Sequence, residues 1–298
     1  MNHFRFVVVM TLFFISGNLF SQGNKEIFKY KLGDSELILL SESQGYGNIS
    51  ILLGATPEMI AECIPDSVFP NAMNAFLFRT PEKNILIDAG LGTKIFDYLD
   101  KLKVKREDID IVLITHMHGD HIGGLLKDGE VAFPNATLYI SYKEHDYWMD
   151  DQEMAKLPIN RQGGFQKARD VIKAYNKRIV YFYPQQIGKK NEPILPGIEA
   201  LAASGHTQGH VMYLLASGDE KILVWGDLIH AMDIQMPYPQ VAVTYDTNPN
   251  EATIARMNIL KYISNQHLPI AGMHIPYPAI GIIKDNEKGG YQFIPVKK

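Results

Sequence analysis

The ten residues Thr115-His116-Met117-His118-Gly119-Asp120-His121-Ile122-Gly123-Gly124 constrain this chain more than any other stretch. They follow the apolar, β-branched run Ile111 to Ile114 directly, so three imidazoles and a carboxylate leave the end of a strand on a glycine-containing loop. From there, neutral imidazole and carboxylate ligands can converge on a cation without crossing a core, and the mixture suits Zn²⁺ and related transition ions.

Three later segments repeat the arrangement of an apolar run ending in a potential ligand. Ile198 to Ala202 leads into Ser204-Gly205-His206-Thr207-Gln208-Gly209-His210, Lys221 to Trp225 into Gly226-Asp227, and Ile270 to Met273 into His274. Further β-rich runs are Leu37 to Leu40, Ala75 to Phe78, Ile85 to Ile87, Thr137 to Ile140 and Val211 to Leu215. Helical segments lie between them. The clearest covers Ala252 to Gln266, with Asn248 as its cap, Pro249 in its first turn, Glu251 completing a capping-box pattern and Pro269 beyond its end. Strands mixed with helices predict a layered α/β architecture.

Residues 1–21 read as a secretory signal peptide: Arg5 precedes the apolar run Phe6 to Ile15, and a small, polar exit leads to Ser21. That run is too short for a membrane anchor, and no other stretch is apolar enough to span a bilayer. One domain from Gln22 to Lys298 is expected, in a periplasmic or secreted protein. Cys63 is the single cysteine, which rules out an internal disulfide. The 298 residues carry 29 Lys+Arg against 33 Asp+Glu, a formal net charge of −4. With no basic block, the chain lacks the electrostatic footprint of a nucleic-acid binder.

Together these residues resemble the metallo-β-lactamase superfamily, and the resemblance extends over nearly the whole of residues 22–298. Its His-x-His-x-Asp-His signature stands complete as His116, His118, Asp120 and His121. The resemblance implies an αββα four-layer sandwich holding two divalent metal ions, with Zn²⁺ the expected pair and Co²⁺, Mn²⁺ or mixed Fe–Zn occupancy using the same ligands. It places His116, His118 and His206 on one ion, Asp120, His121 and His274 on the other, and Asp227 between them. It also puts Asp88, at the end of Leu86-Ile87-Asp88-Ala89-Gly90, beneath the ligand loop.

Within the superfamily the chain is similar to methyl parathion hydrolase and related N-acyl homoserine lactonases. The similarity rests on the strings Ala132-Phe133-Pro134-Asn135-Ala136, Leu195-Pro196-Gly197-Ile198, Gly226-Asp227-Leu228-Ile229 and Ala271 to Pro278. It implies a hydrolase that opens lactones, above all N-acyl homoserine lactones, by attack of a metal-bridging hydroxide; an organophosphorus triester hydrolase is the alternative, and a metal-dependent binding protein without turnover a third reading. Asp120 is then the proton shuttle. His230 stands where many lactonases carry a substrate-holding Tyr, and its N–H can donate to a carbonyl. Trp148 and Phe165 align with aromatic residues of a substrate pocket, as does Phe96, for which core packing is an equal reading. Asp150 to Gly164, polar and ending in paired glycines, is expected as a rim or lid. The substrate is a small molecule, and the dimers common among relatives imply a homodimer.

Overall fold

Leu37-Ile38-Leu39-Leu40 places apolar side chains on both faces of a strand, the pattern of a sheet covered on both sides. In the computed structural model, which describes residues 27–297, Leu37 and Leu39 face a second sheet while Ile38 and Leu40 face helices. The signal-peptide segment and the expected domain start at Gln22 lie outside the described residues.

The first sheet has seven strands in chain order: β1 (Ile27–Leu32), β2 (Ser35–Asn48), β3 (Val68–Arg79), β4 (Asn84–Ile87), β5 (Ile111–Leu113), β6 (Thr137–Ser141) and β7 (Ile179–Phe182). The second has six, also in chain order: β8 (Ile198–Ala202), β9 (Val211–Ser217), β10 (Glu220–Val224), β11 (Ile270–Ala271), β12 (Ile280–Asp285) and β13 (Tyr291–Pro295). The helices are α1 (Pro57–Cys63), α2 (Ile95–Lys101), α3 (Gly119–Ile122), α4 (Tyr142–Met149), α5 (Asp151–Ala155), α6 (Gly163–Tyr175), α7 (Met232–Gln235) and α8 (Pro249–Gln266).

Ile95 and Leu99 of α2, Tyr147 and Trp148 of α4, and Phe165, Ala168 and Val171 of α6 cover the outer face of the first sheet. On the other side Ile259, Leu260 and Ile263 of α8 join the core that fills the space between and behind the sheets. The result is a four-layer helix–sheet–sheet–helix sandwich. Helix α8 starts as its sequence predicts, with the Asn248 side chain accepting the Glu251 N–H at 3.2 Å.

Strand pairing brings the ligand-bearing ends together. Strands β4, β5 and β6 run parallel, with Leu86 opposite Val112 and Val112 opposite Leu138. Asp88 and Thr115 therefore emerge side by side. In the second sheet β10 and β11 are also parallel, so the chain leaves both toward Asp227 and His274 at one end, while the antiparallel β8–β9 pair encloses the loop that carries His206. The Thr115 carbonyl accepts the Val211 N–H at 3.0 Å and the Ile114 carbonyl accepts the Tyr213 hydroxyl at 2.7 Å, joining the two sheets at this end.

Asp150 to Gly164, expected as a rim or lid, is built from short helical pieces. The Asp150 side chain accepts the Gln152 N–H at 2.7 Å and caps α5, a single 3-10 turn covers Ile159–Arg161, and Gly163 opens α6. A polar composition hid a capped helix. Cys63 is half-buried beside Ile64 and Ala231, less enclosed than its apolar sequence neighbours imply.

Candidate metal centre

Side chains from four strand ends meet in one cluster. His116 Nε2 and His206 Nε2 each approach His118 Nδ1 at 3.0 Å. Asp227 Oδ2 lies 3.5 Å from His116 Nε2, 3.2 Å from His206 Nε2, and 3.0 Å from both His274 Nε2 and His230 Nε2. Its other oxygen, Oδ1, is 3.2 Å from His121 Nε2. Asp120 Oδ2 closes the second half of the cluster at 3.5 Å from His121 Nε2 and 3.6 Å from His274 Nε2. Three groups thus have ligand atoms within 4.8 Å of one another: His116, His118, His206 and Asp227; Asp120, His121 and His274; and Asp227, His230 and His274.

The donor chemistry fits divalent cations. Burial and the neighbouring His206 push the His118 imidazole down to about 3, which favours the neutral ring that a metal ligand requires. Burial opposes the charged form of Asp227, but His121, His274, His116 and His230 outweigh it and hold this carboxyl well below its usual range. His121 Nε2 and Asp227 Oδ1 are buried without a hydrogen-bond partner. Buried polar atoms rarely stay unpaired, and a cation between them is the partner their chemistry calls for.

The far sides of the imidazoles are anchored. His121 Nδ1 donates to Asp88 Oδ2 at 2.7 Å, His206 Nδ1 to Asp246 Oδ1 at 2.9 Å, and His274 Nδ1 to the Ala72 carbonyl at 2.8 Å. Such bonds fix the tautomer and aim the remaining nitrogen into the cluster. Asp88 also accepts the Thr115 N–H at 2.8 Å and the Thr115 hydroxyl at 2.7 Å, from a left-handed backbone with φ of 57°. His210 serves the backbone: its Nδ1 donates to the Ala203 carbonyl and its Nε2 accepts the Asp227 N–H, both at 2.9 Å. Gly226 completes this turn with φ of 59°, and a Cβ there would stand 2.3 Å from His210 Nε2, so no other residue fits.

His230 stacks on His274 with ring centroids 4.6 Å apart, and burial pushes it down to about 4. Its Nδ1 is buried and unpartnered, and its backbone N–H is held by Gln235 Oε1 at 2.7 Å.

The aromatic candidates separate. Trp148 stands edge-on to His118 at 5.7 Å, and Phe165 packs behind it at 4.7 Å with no exposed surface. Phe96 packs on Phe133 at 6.1 Å beneath the Lys127 ammonium, and no recorded ring contact joins it to the cluster among the described residues. Tyr245, which sequence reasoning passed over, is 53% exposed with its ring 6.1 Å from that of His230. Asp246 was missed too, because nothing local in Tyr245-Asp246-Thr247 marks a partner for His206.

Residues 69–270 match the model of the metallo-β-lactamase superfamily, and the chain belongs to that superfamily. Its fold is the metallo-β-lactamase fold, and the protein is a metal-dependent hydrolase of that class. It is similar over 92% of its length to the crystal structure of AbOPH, a hydrolase of the same superfamily, at 28% identity, a TM-score of 0.82 and 98% coverage of that chain. Likewise 91% of the chain matches 98% of AidC, a dizinc quorum-quenching lactonase solved with a product, at 26% identity and a TM-score of 0.82. The exodeoxyribonuclease WalJ of Streptococcus pneumoniae is 49% identical over 53 residues, 17% of this chain, so the match spans about a fifth of that relative's length (20%).

Proposed function

We propose that this protein is an exported hydrolase that opens the ring of N-acyl homoserine lactones. The observation that carries the reading is the cluster itself: six ligand candidates, His116, His118, Asp120, His121, His206 and His274, gathered with the Asp227 carboxylate, in a chain that superposes along 91% of its length on a dizinc lactonase.

His116, His118 and His206 would hold one divalent cation, Asp120, His121 and His274 a second, and Asp227 both; Zn²⁺ fits the donors. Bound there, the pair supplies a water activated near neutral pH and Lewis acidity toward the attacked carbonyl. The chain's own groups do the rest. Asp120, with 24% of its side chain exposed, is the carboxylate of the cluster that reaches both solvent and reactants, so it carries the proton to the departing ring oxygen. His230 Nε2 lies 3.0 Å from Asp227 Oδ2, and with its hydrogen on that nitrogen the ring would donate to the carbonyl oxygen as charge develops. Trp148 beside His118 and Tyr245 beside His230 form apolar walls on either side, suited to an acyl chain and to excluding water from the ring. Export rests on the N-terminal segment, and its test is mass spectrometry of the secreted chain, which should begin at Gln22.

Steady-state assays of metal-loaded protein on acyl homoserine lactones and on aryl phosphotriesters, side by side and with an Asp227→Ala control, test the reading. Lactone opening that disappears in the control is the expected result. Strong triester turnover with negligible lactone opening would overturn it in favour of the organophosphorus reading, and full metal content with no hydrolysis of any ester would leave a binding protein.

A further inference from the structure

Ser141-Tyr142-Lys143-Glu144 has the form of a capping box, in which the Glu would fold back onto the N-cap backbone at the protein surface. Only half of that box exists. Ser141 Oγ accepts the Glu144 N–H at 3.2 Å, but the Glu144 carboxylate turns the other way and is 1% exposed. No cation faces it. Its Oε1 accepts the Met117 N–H at 2.7 Å and the Trp148 indole N–H at 2.6 Å; its Oε2 accepts the Thr207 hydroxyl at 2.6 Å and the Gly209 N–H at 3.1 Å.

Those four donors come from three places. Met117 lies between His116 and His118, Thr207 and Gly209 follow His206, and Trp148 is the aromatic wall against His118. The two ligand loops descend from different sheets, and Glu144 bonds to both. Close packing reinforces the joint: Ser141 Oγ donates to the Gly209 carbonyl at 2.9 Å, and a Cβ on Gly209 would stand 2.0 Å from the Glu144 backbone nitrogen.

We propose that Glu144 is a positioning residue that sets the separation of His118 from His206, and with it the affinity of the first cation, while holding Trp148 in its place beside the reacting groups. The inference rests on the metallohydrolase reading and extends it to a residue outside the ligand set. Glutamine cannot replace the carboxylate: its oxygen serves one pair of donors while its NH₂ faces a backbone N–H in the other, so one loop is released whichever way the amide turns. Aspartate keeps the charge but is one methylene too short to reach both loops.

The test measures Co²⁺ and Zn²⁺ affinity by competition with a chromophoric chelator, and the Co²⁺ d–d spectrum, for the unaltered protein, Glu144→Gln, Glu144→Asp and Tyr175→Phe. The last is a control that removes a buried hydroxyl bonded to the Leu125 carbonyl and the Phe133 N–H. Both Glu144 variants should bind the first cation about ten- to a hundred-fold more weakly with an altered spectrum, as expected when an outer partner of a ligand is lost. Tyr175→Phe should lower the denaturation midpoint without moving the affinity. Thr207→Val, which deletes a single bond to Glu144, should show a smaller fall in affinity and serves if the Glu144 variants do not fold. Cation affinity within twofold of the unaltered protein in Glu144→Gln, or in Thr207→Val if that is the folded variant, would overturn the proposal; affinity retained in Glu144→Asp alone would overturn it by reducing the residue to a charge. None of these readouts uses substrate, so a failed lactonase assay and a failed role for Glu144 are distinguishable.

Discussion

Asp246 Oδ1 lies 2.9 Å from His206 Nδ1, and the two residues are 40 positions apart in the chain. Burial works against charge on both, yet bonds to Asp227 and Asp246 raise His206 to about 9, and the bond to His206 keeps Asp246 below its usual range. The same carboxylate faces the Arg256 guanidinium at 3.7 Å and accepts the Val243 N–H at 3.1 Å. It thus fastens a metal-ligand candidate to helix α8.

Asp246→Asn should therefore weaken cation binding about ten- to a hundred-fold, because the amide cannot hold the His206 tautomer as a carboxylate does. Titration with a chelator reads this directly. Arg256 keeps its bonds to the Leu228, Pro239 and Val241 carbonyls, so the variant should still fold.

For His230 the expected effect is kinetic. If its N–H stabilises the developing oxyanion, His230→Ala should lower kcat for lactone opening by on the order of 10²–10³, about 2.7–4 kcal/mol, with KM little changed. Metal content must be measured on the same sample. Loss of bound metal in proportion to the loss of rate would assign the ring to holding the cation with Asp227 and His274 instead.

Removing the metals should cost stability as well as activity. Asp227 is 2% exposed among imidazoles, and without cations its Oδ1 and His121 Nε2 stay unpaired. At free cation 100 to 1,000 times Kd, binding adds roughly 2.7–4.1 kcal/mol, so stripping with a chelator should lower Tm by about 5–15 °C. Calorimetry before and after adding Zn²⁺ back checks both the fall and its reversal.

The two aromatic walls should respond differently. Trp148 is buried against Phe165, so Trp148→Ala should destabilise by about 3–5 kcal/mol as well as open the site. Tyr245, 53% exposed, should tolerate Ala within about 0.5 kcal/mol, while KM for long-chain substrates rises severalfold. Denaturant titration alongside a chain-length series separates packing from recognition.

Much of this protein is legible in its residues taken in order. The apolar runs at 37–40, 111–114 and 198–202 name strands because side chains on a strand alternate between faces that are both buried here. Asn248-Pro249 opens α8 through a bond three residues long, and three imidazoles and a carboxylate within six residues announce a cation site. These signals are local, so the chain order carries them. Asp246 under His206, Glu144 joining Met117 to Thr207 and Gly209, and Tyr245 beside His230 carry no such mark. Each is an ordinary polar or aromatic residue until the parallel pairing of β4 with β5 and of β10 with β11, and the stacking of the two sheets, bring distant loops within hydrogen-bond reach. Sequence determined which chemistry the chain holds; the tertiary structure decided which side chains aim and separate it, because a bond of about 3 Å depends on where strands end and not on spacing along the chain.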